Sequence, residues 1–136
     1  INAVQSVPGQ PLPTTAADTI IAGEGNDVID GLGGADSINA GGGNDRVVYN
    51  PNAVFMNGGS GRDVLVTTSA DVIDLANGAD QSQGTPVLTG FDDIDGSGAT
   101  VGLTLSGNVN SNTLQGGSGN DTFRGGGGTD TIIGNG

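Results

Sequence analysis

Asp27, Asp36 and Asp45 stand nine residues apart, Asp63 lies two such intervals further on, and Asp121 and Asp130 resume the same interval. Carboxylates held at regular distances can do two kinds of chemistry. They can pass protons to and from a substrate, or they can hold a hard cation. The rest of the chain decides between these. It has no His, Cys or Lys, and Tyr49 is its one tyrosine. No serine therefore has a side-chain base to activate it, and acid–base work would fall on the carboxylates alone. The missing His and Cys also remove the usual zinc, copper and iron sites. What remains is an oxygen-only donor set, which suits calcium.

Such a set works only if the chain brings distant turns together, and the nonapeptide itself supplies the means. Written in nines from Ala22, the sequence reads AGEGNDVID, GLGGADSIN and AGGGNDRVV, loses its glycines in YNPNAVFMN, and returns in GGSGRDVLV. GGSGNDTFR and GGGGTDTII repeat the pattern near the C-terminus, and PTTAADTII and GNVNSNTLQ are partial copies. Glycines at positions one, two and four permit positive φ and close backbone approach. Asn26, Asn44 and Asn120 at position five are the non-glycine residues best suited to a left-handed conformation. The residues after each Asp alternate polar and apolar, as in a short strand, with Ile29, Ile38, Val47, Met56, Leu65, Phe123 and Ile132 facing inward. Turn, strand, turn, strand then gives one coil per two repeats and two parallel sheets back to back. Asp is also an ordinary turn former. Six of them at one position of a repeat, stacked about one strand spacing apart, would however repel strongly without a counter-ion.

These motifs resemble the RTX (repeats-in-toxin) nonapeptide family, G-G-x-G-x-D-x-U-x with U a large apolar residue, over residues 13–66 and 107–136. The resemblance implies an all-β, right-handed parallel β-roll, calcium in the turns, and type I secretion from a Gram-negative bacterium to the cell surface or medium. Turns two repeats apart share one side of the roll, which pairs Asp18 with Asp36, Asp27 with Asp45, Asp45 with Asp63, and, more weakly, Asn112 with Asp130. Carbonyls near Gly23, Gly25, Gly34, Gly41, Gly43, Gly59, Gly61, Gly117, Gly119, Gly126 and Gly128 would complete the shells. Asp36 meets Val54 on its other side, so no site is expected there. Asp121 has Leu103 two repeats before it, which makes its site half-built or one completed by another chain.

Composition fits a metal-stapled solenoid. Hydrophobic residues make up 33% and aromatics 3%, with 28 glycines and a net charge of −12, so hydrophobic burial alone is a weak source of order. Three arginines cannot neutralise nucleic-acid phosphates or anionic lipid, and no stretch is apolar enough to enter a membrane as a helix. Residues 1–17, proline-rich and without a leader pattern, read as a linker or edge cover. Residues 18–66 and 98–136 form the two repeat blocks of one continuous solenoid. Residues 67–97, with Pro86 in a polar stretch, read as an irregular, metal-poor middle with a protruding loop. Asp92, Asp93 and Asp95 read as solvated surface, with an ion of their own as the alternative.

A structural module of a secreted or surface protein is expected, assembling into a surface layer, adhesin or matrix fibre. Head-to-tail contact between copies is the partner this implies. A folding and secretion appendage of an exported enzyme or toxin is the alternative. Ice binding is a remote third: Thr104, Thr113, Thr122 and Thr131 recur every nine residues, but alternate members share a sheet, which leaves two per face.

Overall fold

Short runs bounded by glycine turns can bury one side chain in two, and the chain folds accordingly. The computed structural model describes residues 13–69, 72–76, 79–80 and 86–136. Strands β1 (Thr19–Glu24), β3 (Ser37–Gly42), β5 (Phe55–Ser60), β7 (Val72–Asp74), β8 (Ala79–Asp80), β9 (Val87–Thr89), β11 (Thr104–Ser106) and β13 (Thr122–Arg124) form one sheet. The second sheet holds β2 (Val28–Ile29), β4 (Arg46–Val48), β6 (Val64–Val66), β10 (Asp93–Asp95), β12 (Thr113–Gln115) and β14 (Thr131–Ile133). The two sheets lie on opposite sides of a thin core, which is the expected parallel β-roll. No helix among the described residues is long and apolar enough to cross a membrane.

Within the repeat blocks each strand pairs in parallel with the strand one coil away. Ile38 faces Ile20 and Met56, Leu65 faces Val47, and Leu114 faces Ile132. The inward residues make a single-file core: Ile38, Val47, Met56, Leu65, Ile73, Leu105 and Leu114 are fully buried. Phe123 is partly buried, and Ile132, expected inside, is 50% exposed because β14 is the outermost strand of its sheet. The Thr pairs are two per sheet, Thr104 with Thr122 and Thr113 with Thr131, too few for a flat ice-binding face.

The middle departs from simple coiling. After β6 the chain enters the first sheet as β7, doubles back as β8, and returns as β9 beside β5. β8 is antiparallel to both neighbours, Ile73 pairing with Asp80 and Ala79 with Val87. A strand inside the polar stretch was not expected, and it gives this sheet eight strands against six in the other. Of the polar stretch 75–87, where the protruding loop was expected, residues 77–78 and 81–85 lie outside the described residues. Parallel pairing resumes across the insertion, Asp93-Ile94-Asp95 lying against Val64-Leu65-Val66. Leu88, Ile94 and Leu103 re-enter the core, closing the apolar file that the insertion would otherwise break.

Candidate metal-binding edge

The turns that lead into the second sheet stack along one edge of the roll. In three of them, residues 23–27, 41–45 and 59–63, the glycines at the second and fourth repeat positions have positive φ. The values are 112° and 117° for Gly23 and Gly25, 110° and 128° for Gly41 and Gly43, and 103° and 128° for Gly59 and Gly61. A methyl on Gly41 or Gly43 would run into the carbonyl oxygen of Gly23 or Gly25, so carbonyls form columns that only glycine can approach. The position-five asparagines are not left-handed: among the described non-glycine residues, positive φ occurs at Leu32 and Asn135. The glycines supply the reversal, which frees the Asn side chains to link coils. Asn26 Oδ1 accepts the Asn44 N–H at 2.8 Å, and Asn44 Oδ1 accepts the Arg62 N–H at 3.0 Å.

The aspartates use their two oxygens differently. Asp45 Oδ1 accepts the Asp27 N–H at 2.8 Å, and Asp63 Oδ1 accepts the Asp45 N–H at 2.8 Å, each across 18 residues. The same bond joins Asp36 to Asp18 at 3.0 Å, Asp121 to Leu103 at 2.9 Å and Asp130 to Asn112 at 3.0 Å. One oxygen thus continues the backbone ladder through the turn. The second does not: Oδ2 of Asp27, Asp45, Asp63 and Asp121 is buried without a hydrogen-bond partner. Asp45 and Asp63 are wholly inaccessible. Burial, with the neighbouring Asp45 carboxylate, pushes the Asp27 carboxyl above its usual range. Burial likewise pushes Asp63 up, against the lowering effect of the hydrogen bond from the Asp45 N–H, and the Asp45 and Asp92 charges add smaller upward pushes.

Each expected pair is therefore brought together, with different capacity for an ion. Asp27–Asp45 and Asp45–Asp63 face each other across glycine turns with an oxygen to spare. Asp18 is occupied by the Thr14 N–H and hydroxyl, at 2.6 and 2.9 Å. Asn112 is buried and internally committed. Its Oδ1 accepts the Asn108 N–H at 2.8 Å, and its Nδ2 donates to the Asp92 carbonyl at 2.5 Å, so its turn offers an ion only Asp130 and carbonyls. At Asp121 the ladder bond goes to Leu103, and a second carboxylate is missing from that register.

On the opposite edge, where Asp36 faces Val54, Asn50 closes the gap. Its Nδ2 donates to the Gly34 carbonyl at 3.0 Å and to Asp36 Oδ2 at 3.2 Å. A neutral amide thus satisfies the carbonyl and the carboxylate oxygen that a cation would otherwise hold.

Asp92, Asp93 and Asp95 are not solvated surface. Asp92 Oδ2 accepts the Asp63 N–H at 2.9 Å. Arg62 binds Asp93 through Nε and Nη2 at 2.8 and 2.6 Å, and Arg46 binds Asp95 at 2.6 Å. Burial opposes ionisation of Asp95, but bonds from Ser97 and Arg46 outweigh it and hold its carboxyl below the usual range. Asp92-Asp93-Ile94-Asp95 keeps the D-x-U-x half of the repeat, a signal hidden by the loss of the preceding glycines.

The donor set fits calcium. Among the described residues no three acidic side chains gather at one point, so an ion here must draw on carboxylate pairs and glycine carbonyls together. Calcium accepts such a mixture, taking six to eight oxygens in flexible geometry. The RTX calcium-binding nonapeptide repeat matches the chain in four copies, over residues 14–47 and 106–136. Repeats of this kind bind calcium ions. No curated protein and no solved structure matches the chain.

Proposed function

Since the chain belongs to the RTX nonapeptide-repeat family, we propose that it serves as a calcium-dependent structural module of a secreted or cell-surface bacterial protein. It folds on meeting calcium outside the cell and takes part in extracellular assembly. The buried, unpartnered Oδ2 atoms of Asp27, Asp45 and Asp63 carry this reading. Two carboxylates one strand spacing apart repel by about 3–4 kcal/mol at an effective dielectric constant of about 20. A divalent ion between them reverses that sign. Asp27, Asp45 and Asp63, with carbonyls of the glycine turns, would hold the ions, and Asp130 and Asp121 would hold others less completely. The ion supplies positive charge and oxygen coordination; the chain supplies a stack of rigid turns.

Magnitude explains the repetition. With dissociation constants of about 10⁻⁴–10⁻³ M, each site adds about 0.4–1.4 kcal/mol at millimolar calcium. A single site cannot offset the backbone entropy of a glycine-rich chain, whereas a row filled together gives a switch between cytosolic and extracellular calcium. Circular dichroism during a calcium titration tests the folding reading. A coil-to-β transition is expected, and a chain fully folded in excess EGTA overturns it. Electron microscopy of the same samples tests assembly: filaments or sheets support it, and compact monomers at all concentrations reduce the role to a folding and export module.

A further inference from the structure

The gap between turns 59–63 and 88–92 lies outside the matched repeats and outside the 18-residue register, yet it reproduces the bonding of the regular sites. Asp63 donates its N–H to Asp92 Oδ2 at 2.9 Å across 29 residues, as Asp27 does to Asp45 and Asp45 to Asp63 at 2.8 Å. Asp63 is fully buried and its Oδ2 has no partner. The Gly90 carbonyl converges on the same place: a methyl on Gly58 would lie 2.5 Å from Gly90 O and 2.9 Å from Asp63 Oδ2. Gly59, Gly61 and Gly90 all have positive φ, with Gly90 at 68° where Gly59 and Gly61 stand at 103° and 128°, so a shortened turn here still brings backbone close to backbone. A cavity of about 230 Å³ opens beside this place, lined in part by Gly59, Gly61, Gly90 and Asp92, with Asn108 and Asn110 on its wall. Among the described residues no cation competes for it, because the nearby Arg62 guanidinium is engaged with Asp93.

The next gap up the edge is closed by amide donors. Asn112 Nδ2 binds the Asp92 carbonyl at 2.5 Å, and Asn108 Nδ2 reaches the Phe91 carbonyl at 3.4 Å. Between Asp63 and Asp92 the groups named are acceptors. We propose that this gap is a further calcium site, held by the Asp63 and Asp92 carboxylates with carbonyls of Gly59, Gly61 and Gly90, which extends the row across the insertion. The inference rests on the calcium reading above. Turn 88–92 has one glycine, Gly90, where the regular turns have at least two, and the cavity leaves room for water. Water completes the shell, and the site is the weakest of the three and the last to fill.

Equilibrium dialysis of the full chain against calcium counts bound ions in wild type and Asp92→Asn. Asn retains an oxygen for the Asp63 N–H, so the turn keeps its ladder bond. The variant is expected to bind one ion fewer than wild type, with the remaining affinities within about twofold. An equal count overturns the site but leaves the calcium reading standing, and a wild type that binds no calcium overturns both. Should Asp92→Asn fail to fold, wild-type crystals soaked in terbium decide the matter. Anomalous peaks are expected between Asp27 and Asp45, between Asp45 and Asp63, and between Asp63 and Asp92. Peaks at the first two places with none at the third overturn the proposal.

Discussion

The two edges of the roll face one structural problem and solve it in two ways. At Asp36, Asp45, Asp63 and Asp121 one carboxylate oxygen takes a backbone N–H from the adjacent coil, which leaves the other oxygen to be satisfied in some other way. Along the edge of turns 23–27, 41–45 and 59–63 that oxygen is left bare, with glycine carbonyls stacked beside it. Along the opposite edge Asn50 delivers its amide to Asp36 Oδ2 and to the Gly34 carbonyl. At the Asp36 and Val54 turns of that edge the glycine pattern decays with the need for it. Leu32 holds a φ of 68° where the other edge has Gly23, Gly41 and Gly59, and Pro51, Asn52 and Ala53 replace the permissive residues altogether. An amide is always present, whereas an ion comes and goes with its concentration. The comparison teaches that stacked bare carboxylates belong to the edge of Asp27, Asp45 and Asp63, while the other edge is closed by the chain at Asp36 and keeps a bare oxygen at Asp121.

The largest effect expected from breaking this contrast is at position four of the turn. Gly43→Ala puts a methyl into the Gly25 carbonyl at a φ of 128°, and it should cost about 2–5 kcal/mol of stability in calcium. Asn52→Ala, at the same position on the opposite edge and exposed, should change stability by no more than about 0.5 kcal/mol. Urea unfolding of both variants measures the difference, and equal costs would mean that the edges are equivalent.

Asn50→Ala should come next. It strands the Gly34 carbonyl and Asp36 Oδ2 and should cost about 1–3 kcal/mol, by the same amount at saturating and at limiting calcium. Asn50→Asp should instead be tolerated at saturating calcium and destabilised at limiting calcium, moving ion dependence to this edge. A loss from Asn50→Ala that calcium restores would show that the amide does not do the work assigned to it.

The smallest effect carries a sign. Asp45→Asn keeps an oxygen for the Asp27 N–H and removes the central charge of the row. Calcium affinity should fall about tenfold, equivalent to about 1.4 kcal/mol, while the calcium-free chain should gain stability. In that calcium-free state the raised carboxyls of Asp27 and Asp63 bind protons more tightly folded than unfolded. Their stabilising contribution is complete below the unfolded value of 3.8 and is lost as pH rises through the raised folded values. Asp95 works in the opposite sense, its contribution being lost as pH falls below 3.8 through its lowered value. β-Structure retained in EGTA, followed by circular dichroism, should therefore be greatest near about pH 4 and fall as pH climbs toward neutrality, with a flatter profile in Asp45→Asn. Wild-type β-structure in EGTA that grows over that interval would contradict the bare-carboxylate picture.

Much of this molecule was legible in its residues because a nonapeptide repeat is a local code. Gly decides where the backbone can reverse, the alternation after each Asp decides which side chain enters the core, and a fixed interval brings like turns together. From these alone follow the two-sheet roll, the inward file from Ile29 to Leu65, the pairing of Asp27, Asp45 and Asp63, and the break at Val54. The rest depended on which strands come to lie side by side. Nothing local says that β8 runs backwards between β7 and β9, because that pairing depends on neighbours supplied by other coils. Nothing in the spacing joins Asp63 to Asp92 either; they meet because β10 takes the place beside β6 that buries Ile94 on Leu65. Asn50 and Asn112 read as degenerate repeat positions in the sequence, and only their surroundings show them to be amide closures. A period determines what each residue does within its own coil, whereas an insertion leaves the register between coils to be settled by burial and hydrogen bonding across the stack.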